Sequence, residues 1–117
     1  MKRLINWLLG RKEPPSPIDL RILINRELCS LGETSDEIAA SLAAKGITGI
    51  PFNSCECPIA NFLKRTFTPT FLTVGPIRYF FHQHQKRGFD GAMPSTISSF
   101  IYDFDTGKYP DLFTAKE

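Results

Sequence analysis

The sequence predicts an α+β domain in which about four helices pack on one β-hairpin or small antiparallel sheet. Three observations predict it. Apolar residues recur at helical spacing in four segments, aromatic and β-branched runs flank a turn at residues 75 and 76, and 117 residues is the length of one domain. A hydrophobic fraction of 42% with 22% charged residues is ordinary for a folded protein and argues against general disorder.

Residues 1–15 are predicted to form an amphipathic N-terminal segment and a proline-rich link, and residues 16–117 a single domain. The segment MKRLINWLLGRK has basic ends around a short apolar run, which is too short to span a bilayer and precedes no cleavage site. Contact of residues 1–12 with a membrane surface is one interpretation. We favour the interpretation that residues 1–12 dock on the domain's own core or on a partner, because a single short helix binds lipid only marginally.

Two helices are predicted in the first half of the domain. Ser16 is the expected N-cap of the first helix, and Gly32 is its expected end. Thr34 and Glu37 form a capping-box pair for the second helix, which is expected to end at Gly46. The short separation predicts a helical hairpin or a sharply angled pair.

Two further helices are predicted in the second half. CPIANFLKR, residues 57–65, places Pro58 in a first helical turn, with Ser54 or Cys57 before it as a cap. MPSTISSFIYDFDTG, residues 93–107, predicts a strongly amphipathic helix that Gly107 ends. Its apolar stripe has the spacing i, i+3, i+4, i+7 and consists of Ile97, Phe100, Ile101 and Phe104.

The segment TPTFLTVGPIRYFFHQHQ, residues 68–85, predicts two strands of a hairpin around Gly75 and Pro76. Side chains alternate between the two faces of a strand. We therefore expect Ile77, Tyr79 and Phe81 to share one face.

CPIANFL, followed downstream by FIYDFDTGKYPDL, resembles a pattern found in short uncharacterised bacterial proteins, including ones from phage and plasmid contexts. The resemblance covers the middle and the C-terminal part of the chain. It implies a bacterial or mobile-element setting, and it implies no activity and no functional residue.

Four side chains are of the types that bind zinc: Cys55, Cys57, His82 and His84. Their C-x-C and H-x-H spacings depart from the usual C-x2-4-C and H-x3-5-H patterns. The favoured interpretation is therefore that the cysteines pack at a helix start and the histidines lie at a solvated strand end. A thiol at a helix N-terminus is expected to have a depressed pKa, which makes Cys57 the thiol to test for reactivity.

No catalytic motif is present, so we expect neither an enzyme nor a cofactor. The net charge of +2 is too small to imply a nucleic-acid partner by itself, but residues 78–87 interleave aromatic and basic side chains in a way that suits stacked bases and phosphates. The candidate binding residues are Arg78, Phe80, His82, His84, Lys86 and Arg87.

By elimination, the sequence favours a cytoplasmic interaction or regulatory module that binds a protein partner. The resemblance implies a bacterial, phage or mobile-element origin for it. The alternative is a nucleic-acid-binding protein that uses residues 78–87. A third hypothesis is a zinc-binding or thiol-dependent protein.

Overall fold

The computed structural model describes residues 17–83 and 87–114, with side chains from Leu20 onward. Within these residues, four helices and a three-stranded antiparallel sheet form one α+β domain, which confirms the predicted fold class. The predicted Ser16 cap and the segment 1–15 lie outside the described residues. The elements in chain order are α1 (Pro17–Cys29), α2 (Ser35–Ala44), α3 (Pro58–Phe67), β1 (Phe71–Val74), β2 (Arg78–His82), β3 (Phe89–Ala92), α4 (Ser95–Asp105) and a 3-10 turn (Pro110–Leu112).

The sheet has the strand order β1-β2-β3, and both pairings are antiparallel. Strand β2 lies in the centre, with Phe80 opposite Thr73 on one side and opposite Asp90 on the other. Tyr79 and Phe81 share one face, as predicted, and that face is the buried one. The prediction for Ile77 is wrong, because this residue precedes the strand and is 71% exposed in the β1–β2 turn.

Helices cover the inner face of the sheet, and none of the helices within the described residues packs on its outer face. Helix α4 packs against α1 and α2, and α3 packs against β1. The four apolar residues of the predicted α4 stripe are all buried. The largest fully buried side chains are Phe81, Phe100, Phe104, Ile24, Leu28, Leu31, Ile38, Leu42, Ile47, Ile59, Leu63 and Ile97.

The predicted capping box at the start of α2 is present. The Oγ1 of Thr34 accepts a hydrogen bond from the backbone N–H of Glu37 at 3.1 Å. The Glu37 carboxylate accepts the return bond from the N–H of Glu33 at 2.8 Å, one residue before the cap itself. The first bond satisfies an N–H group that the first helical turn leaves without an intrahelical partner, and the second holds the residue before the cap.

Candidate functional site

An apolar pocket of about 420 Å³ lies between the loop before α3, the β1–β2 turn and the C-terminal half of α4. Its mouth carries two aromatic side chains that face solvent, Phe52 at 80% exposure and Tyr102 at 68%. Its inner walls are formed by the buried side chains of Cys57, Val74 and Ile101. The lining residues are Phe52, Asn53, Ser54, Cys57, Val74, Gly75, Pro76, Ile101, Tyr102, Asp105 and Thr106.

The loop of residues 50–56, which carries Phe52, is closed by its own hydrogen bonds. The N–H of Ile50 donates to the carbonyl of Glu56 at 2.8 Å and joins the two ends of the loop. Inside it, the Asn53 side-chain oxygen accepts from the N–H groups of Cys55 and Glu56 at 3.0 and 2.9 Å. Such short-range bonds let an Asn side chain take the place of a backbone turn. The loop is therefore a defined structure that presents its tip to the pocket.

Gly49 fixes this loop against the start of α3. A Cβ at Gly49 would lie 2.3 Å from the backbone nitrogen of Pro58, which is far closer than packed atoms approach. Only a residue without a side chain allows this contact. The N–H of Gly49 donates to the carbonyl of Leu112 at 2.8 Å, so the same glycine also ties the loop to the C-terminal turn.

Phe52 has a left-handed backbone conformation, with φ of 57°. Its N–H donates to the Oδ1 of Asp105 at 2.9 Å, so a side chain of α4 holds the loop tip in place. A left-handed conformation costs a residue other than glycine about 1–2 kcal/mol, and an exposed ring recovers little of that by burial. Strain kept at an exposed aromatic residue points to a role in binding.

Asp105 gives the pocket its charge. Among the described lining residues it is the one with a charged side chain. The ion pairs found in the described part of the chain do not include it, since both join Lys108 to other carboxylates. Its carboxylate is therefore available to a cationic group that enters the pocket.

Cys57 is the N-cap of α3 and part of the pocket wall. Its Sγ accepts a hydrogen bond from the N–H of Ala60 at 3.4 Å, as a cap does. The predicted depression of its pKa is wrong: desolvation by burial outweighs the helix N–H groups and raises the pKa of the thiol to about 11. A thiol that stays protonated at neutral pH is a poor nucleophile.

The described residues do not bring the zinc candidates together. Near the cysteines, the carbonyl of Ser54 accepts from the N–H of Val74, at one end of β1, whereas His82 pairs with Phe71 at the other end. Three residue steps along the strand separate these ends by roughly 10 Å. Cys55 is exposed and Cys57 is buried, and within residues 17–83 and 87–114 no group of three or more metal-binding side chains occurs. His84 lies outside the described residues.

The outer face of the sheet carries part of the predicted basic-aromatic set. Arg78, Phe80 and His82 alternate with the buried residues of β2 and therefore share this face. The Phe80 ring lies next to the exposed ring of Phe71, with centroids 6.2 Å apart, and over Gly88. Arg87 is exposed just before β3, and His84 and Lys86 lie outside the described residues.

Sequence patterns did not single out Phe52, Tyr102 or Asp105 as a group. Tyr102 sits off the apolar stripe of α4, and an aromatic residue on the polar face of an amphipathic helix is a signal that was present in the sequence. Nothing local marks Asp105 as the partner of Phe52, because 53 residues separate them.

Comparison of the chain with protein-family models, with curated proteins and with solved structures finds no match. Across the described residues, no helix combines the length and the apolar character needed to cross a membrane.

Proposed function

We propose that this protein is a small non-catalytic interaction module that binds a segment of a protein partner in the Phe52–Tyr102 pocket. One observation carries the proposal: Phe52 stands at the mouth of an apolar pocket in a strained conformation that Asp105 holds. The resemblance in sequence supports a bacterial, phage or mobile-element setting as an accompanying proposal, in the cytoplasm.

The size and composition of the pocket suit a side chain of a partner. Ligand sites in proteins are mostly apolar concavities of about 300–1,000 Å³, and aromatic residues are enriched where proteins meet. Ile77, next in sequence to the lining residue Pro76, is a further exposed apolar residue of the β1–β2 turn. The pocket and its surroundings thus offer aromatic and aliphatic anchors together.

Binding is favoured over catalysis by the chemistry of the lining. Its titratable side chains among the described residues are Asp105 and Cys57. The raised pKa of Cys57 leaves it protonated, and the Asp105 carboxylate already accepts the Phe52 N–H. A nucleophile with an adjacent base, which covalent catalysis needs, is not formed by these two groups.

A random-peptide display library, selected on the full chain, tests the proposal. Peptides that bind the wild type should lose at least about tenfold in affinity for Phe52→Asn and for Tyr102→Ala, since truncating an interface anchor costs about 1–2 kcal/mol or more. Asn tolerates the left-handed conformation, so the first variant removes the ring and keeps the loop.

The control is Phe71→Ala, which removes a 52% exposed ring from the outer face of the sheet. Peptides that bind all variants equally well, or a library that yields no binder, would contradict the proposal.

The outer face of the sheet favours a second candidate function, binding of single-stranded nucleic acid. Adjacent rings of Phe71 and Phe80, with Arg78 and His82 on the same face, offer stacking and phosphate contacts. The charge balance weighs against it, since residues 17–117 contain ten Lys and Arg and eleven Asp and Glu. Asp90 also lies opposite Phe80 on that face.

A mobility shift on single-stranded RNA and DNA at increasing salt distinguishes this candidate. A shift that weakens with salt and is lost in Arg78→Gln and Phe71→Ala, but not in Tyr102→Ala, would support it. A chain that causes no shift at low salt does not bind nucleic acid through this face.

A further inference from the structure

The two parts of the chain differ in charge. Residues 1–16 contain four Lys and Arg and one Glu, whereas residues 17–117 have one more carboxylate than cations. The net positive charge of the protein therefore belongs to the N-terminal segment, and the rest of the chain is slightly acidic. The pocket contributes Asp105 to that acidic side.

The apolar part of the N-terminal segment is of the kind that the pocket admits. Leu4, Ile5, Leu8 and Leu9 share one face of the predicted helix, Trp7 lies near that face, and basic residues occupy both ends. An amphipathic helix with this pattern needs an apolar surface to cover its stripe. The pocket can take a side chain of this stripe, and it offers a carboxylate to one of the flanking cations.

The extended link is longer than the width of sheet between strand β3, which α1 contacts through Arg21, and the edge of the pocket on β1. Helix α1 begins at Pro17, and in its second turn the Nε of Arg21 donates to the carbonyl of Asp90 at 2.8 Å. Asp90 is two strands, or roughly 10 Å, from Thr73, whose neighbour Val74 lines the pocket. The proline-rich residues 13–17 span about 15 Å when extended.

We propose that residues 1–12 of the same chain dock in the Phe52–Tyr102 pocket and are displaced by the protein partner. This inference rests on the proposed function of that pocket and adds an internal competitor to it. A partner can bind only those molecules in which the segment is not docked. The apparent affinity of the partner is therefore the intrinsic affinity multiplied by the undocked fraction. The segment thereby sets a threshold for binding.

Trp7 is the single tryptophan of the chain, so its fluorescence reports on the segment directly. In the full-length protein its emission maximum should lie at shorter wavelength than in the free peptide MKRLINWLLGRKE. Phe52→Asn and Tyr102→Ala should each move the emission toward that of the free peptide, whereas the control Phe71→Ala should leave it unchanged.

The charge contribution is tested with Asp105→Asn. The amide oxygen of Asn can still accept the Phe52 N–H, so the loop tip keeps its hydrogen bond while the charge is removed. We expect the variant to shift Trp7 toward the free-peptide emission. The salt dependence of the emission should be weaker in the variant than in the wild type.

Three results would overturn the inference. The first is a Trp7 emission equal to that of the free peptide and unaffected by pocket variants. The second is a shift that disappears on dilution of the protein, which would assign the pocket to the segment of a second copy. The third is a shift that appears only with vesicles containing anionic lipid, which would assign the segment to a membrane surface.

Displayed peptides separate the two proposals. Leu4→Ser combined with Leu8→Ser disrupts the segment outside the pocket, and the selected peptides should bind this variant more tightly than the wild type, about tenfold if nine in ten molecules are docked. Equal affinities, with pocket-dependent peptide binding intact, would overturn self-docking alone. Absence of pocket-dependent binding in this variant would remove the proposed function as well.

Discussion

The Phe52–Tyr102 pocket and the outer face of the sheet each carry two aromatic rings at the surface, of which only Phe80 on the sheet is half-buried, but they are built differently. On the sheet, Phe71 and Phe80 stand on regular strands, and their positions follow from side-chain alternation alone. At the pocket, a hydrogen bond that the Phe52 N–H donates to Asp105 holds Phe52 in a left-handed conformation above walls that belong to the core. Aromatic side chains at the surface are common to both regions. Backbone strain occurs at Phe52, and it makes the pocket a stronger candidate for a binding site than the sheet face.

The largest expected effect tests whether the pocket depends on the core behind it. Phe100 is fully buried, stacks on Phe104 and Tyr109, and precedes the pocket residue Ile101. Phe100→Ala should lower the free energy of unfolding by about 3–5 kcal/mol, because it leaves a cavity in the core. Urea unfolding measures the loss. A variant as stable as the parent would mean that α4 does not pack as described.

The next effect is the pH dependence of protein stability that Cys57, in the pocket wall, is expected to cause. Burial raises the pKa of its thiol from 9.0 to about 11, so the folded state keeps a proton that the unfolded state releases. This contribution to stability is complete below about pH 9 and is lost as the pH rises to about 11. Two pKa units correspond to about 3 kcal/mol.

The Cys57→Ser variant serves as the comparison for this effect. Ser is also a good helix cap, and its hydroxyl does not titrate in this range. Unfolding measured between pH 8 and pH 11 should therefore show a steeper fall in the wild type than in the variant. Parallel curves would show that the thiol does not titrate as its burial requires.

A smaller effect compares a glycine under the pocket loop with one under the sheet face. A Cβ at Gly49 would meet the backbone of Pro58, whereas one at Gly88 would meet the end of the Phe80 ring, which can swing toward solvent. Gly49→Ala should cost about 1–3 kcal/mol, as other overpacking changes do. Gly88→Ala should cost less. Thermal melts of both variants measure the two losses. A larger loss for Gly88→Ala than for Gly49→Ala would contradict the close packing of the loop on the start of α3.

The smallest effect is expected on the sheet face itself. Phe71 is 52% exposed and its ring contacts Phe80, so its removal leaves no core cavity. Phe71→Ala should change the free energy of unfolding by no more than about 0.5 kcal/mol. A loss comparable to that of Phe100→Ala would show that the two rings support the fold and do not form a free surface.

Features that depend on neighbouring residues could be predicted from the sequence. The capping box of Thr34 and Glu37, the cap of α3 and the buried stripe of α4 each follow from spacings within about one to three helical turns. Gly46 and Gly107, predicted as helix ends, both have positive φ. These parts of the prediction hold because the physical cause lies within the segment itself.

Strand β3 was not predicted, and the reason lies in its composition. The segment Phe89–Ala92 reads FDGA, and Asp, Gly and Ala are all depleted in strands. It becomes a strand because β2 supplies its partners, with Tyr79 opposite Gly91 and Phe80 opposite Asp90. Pairing across the sheet thus overrides a weak local preference.

The sequence by itself determined the fold class, the helix caps and which faces of the helices are buried, because periodicity and capping act over a few residues. Only the tertiary structure decided the site. It joined Phe52 to Asp105 across 53 residues, placed Tyr102 beside them, and buried Cys57 deeply enough to reverse the expected direction of its pKa shift. Contacts between distant segments and the desolvation of a thiol depend on how the whole chain packs, so neither can be predicted from the spacing of neighbouring residues.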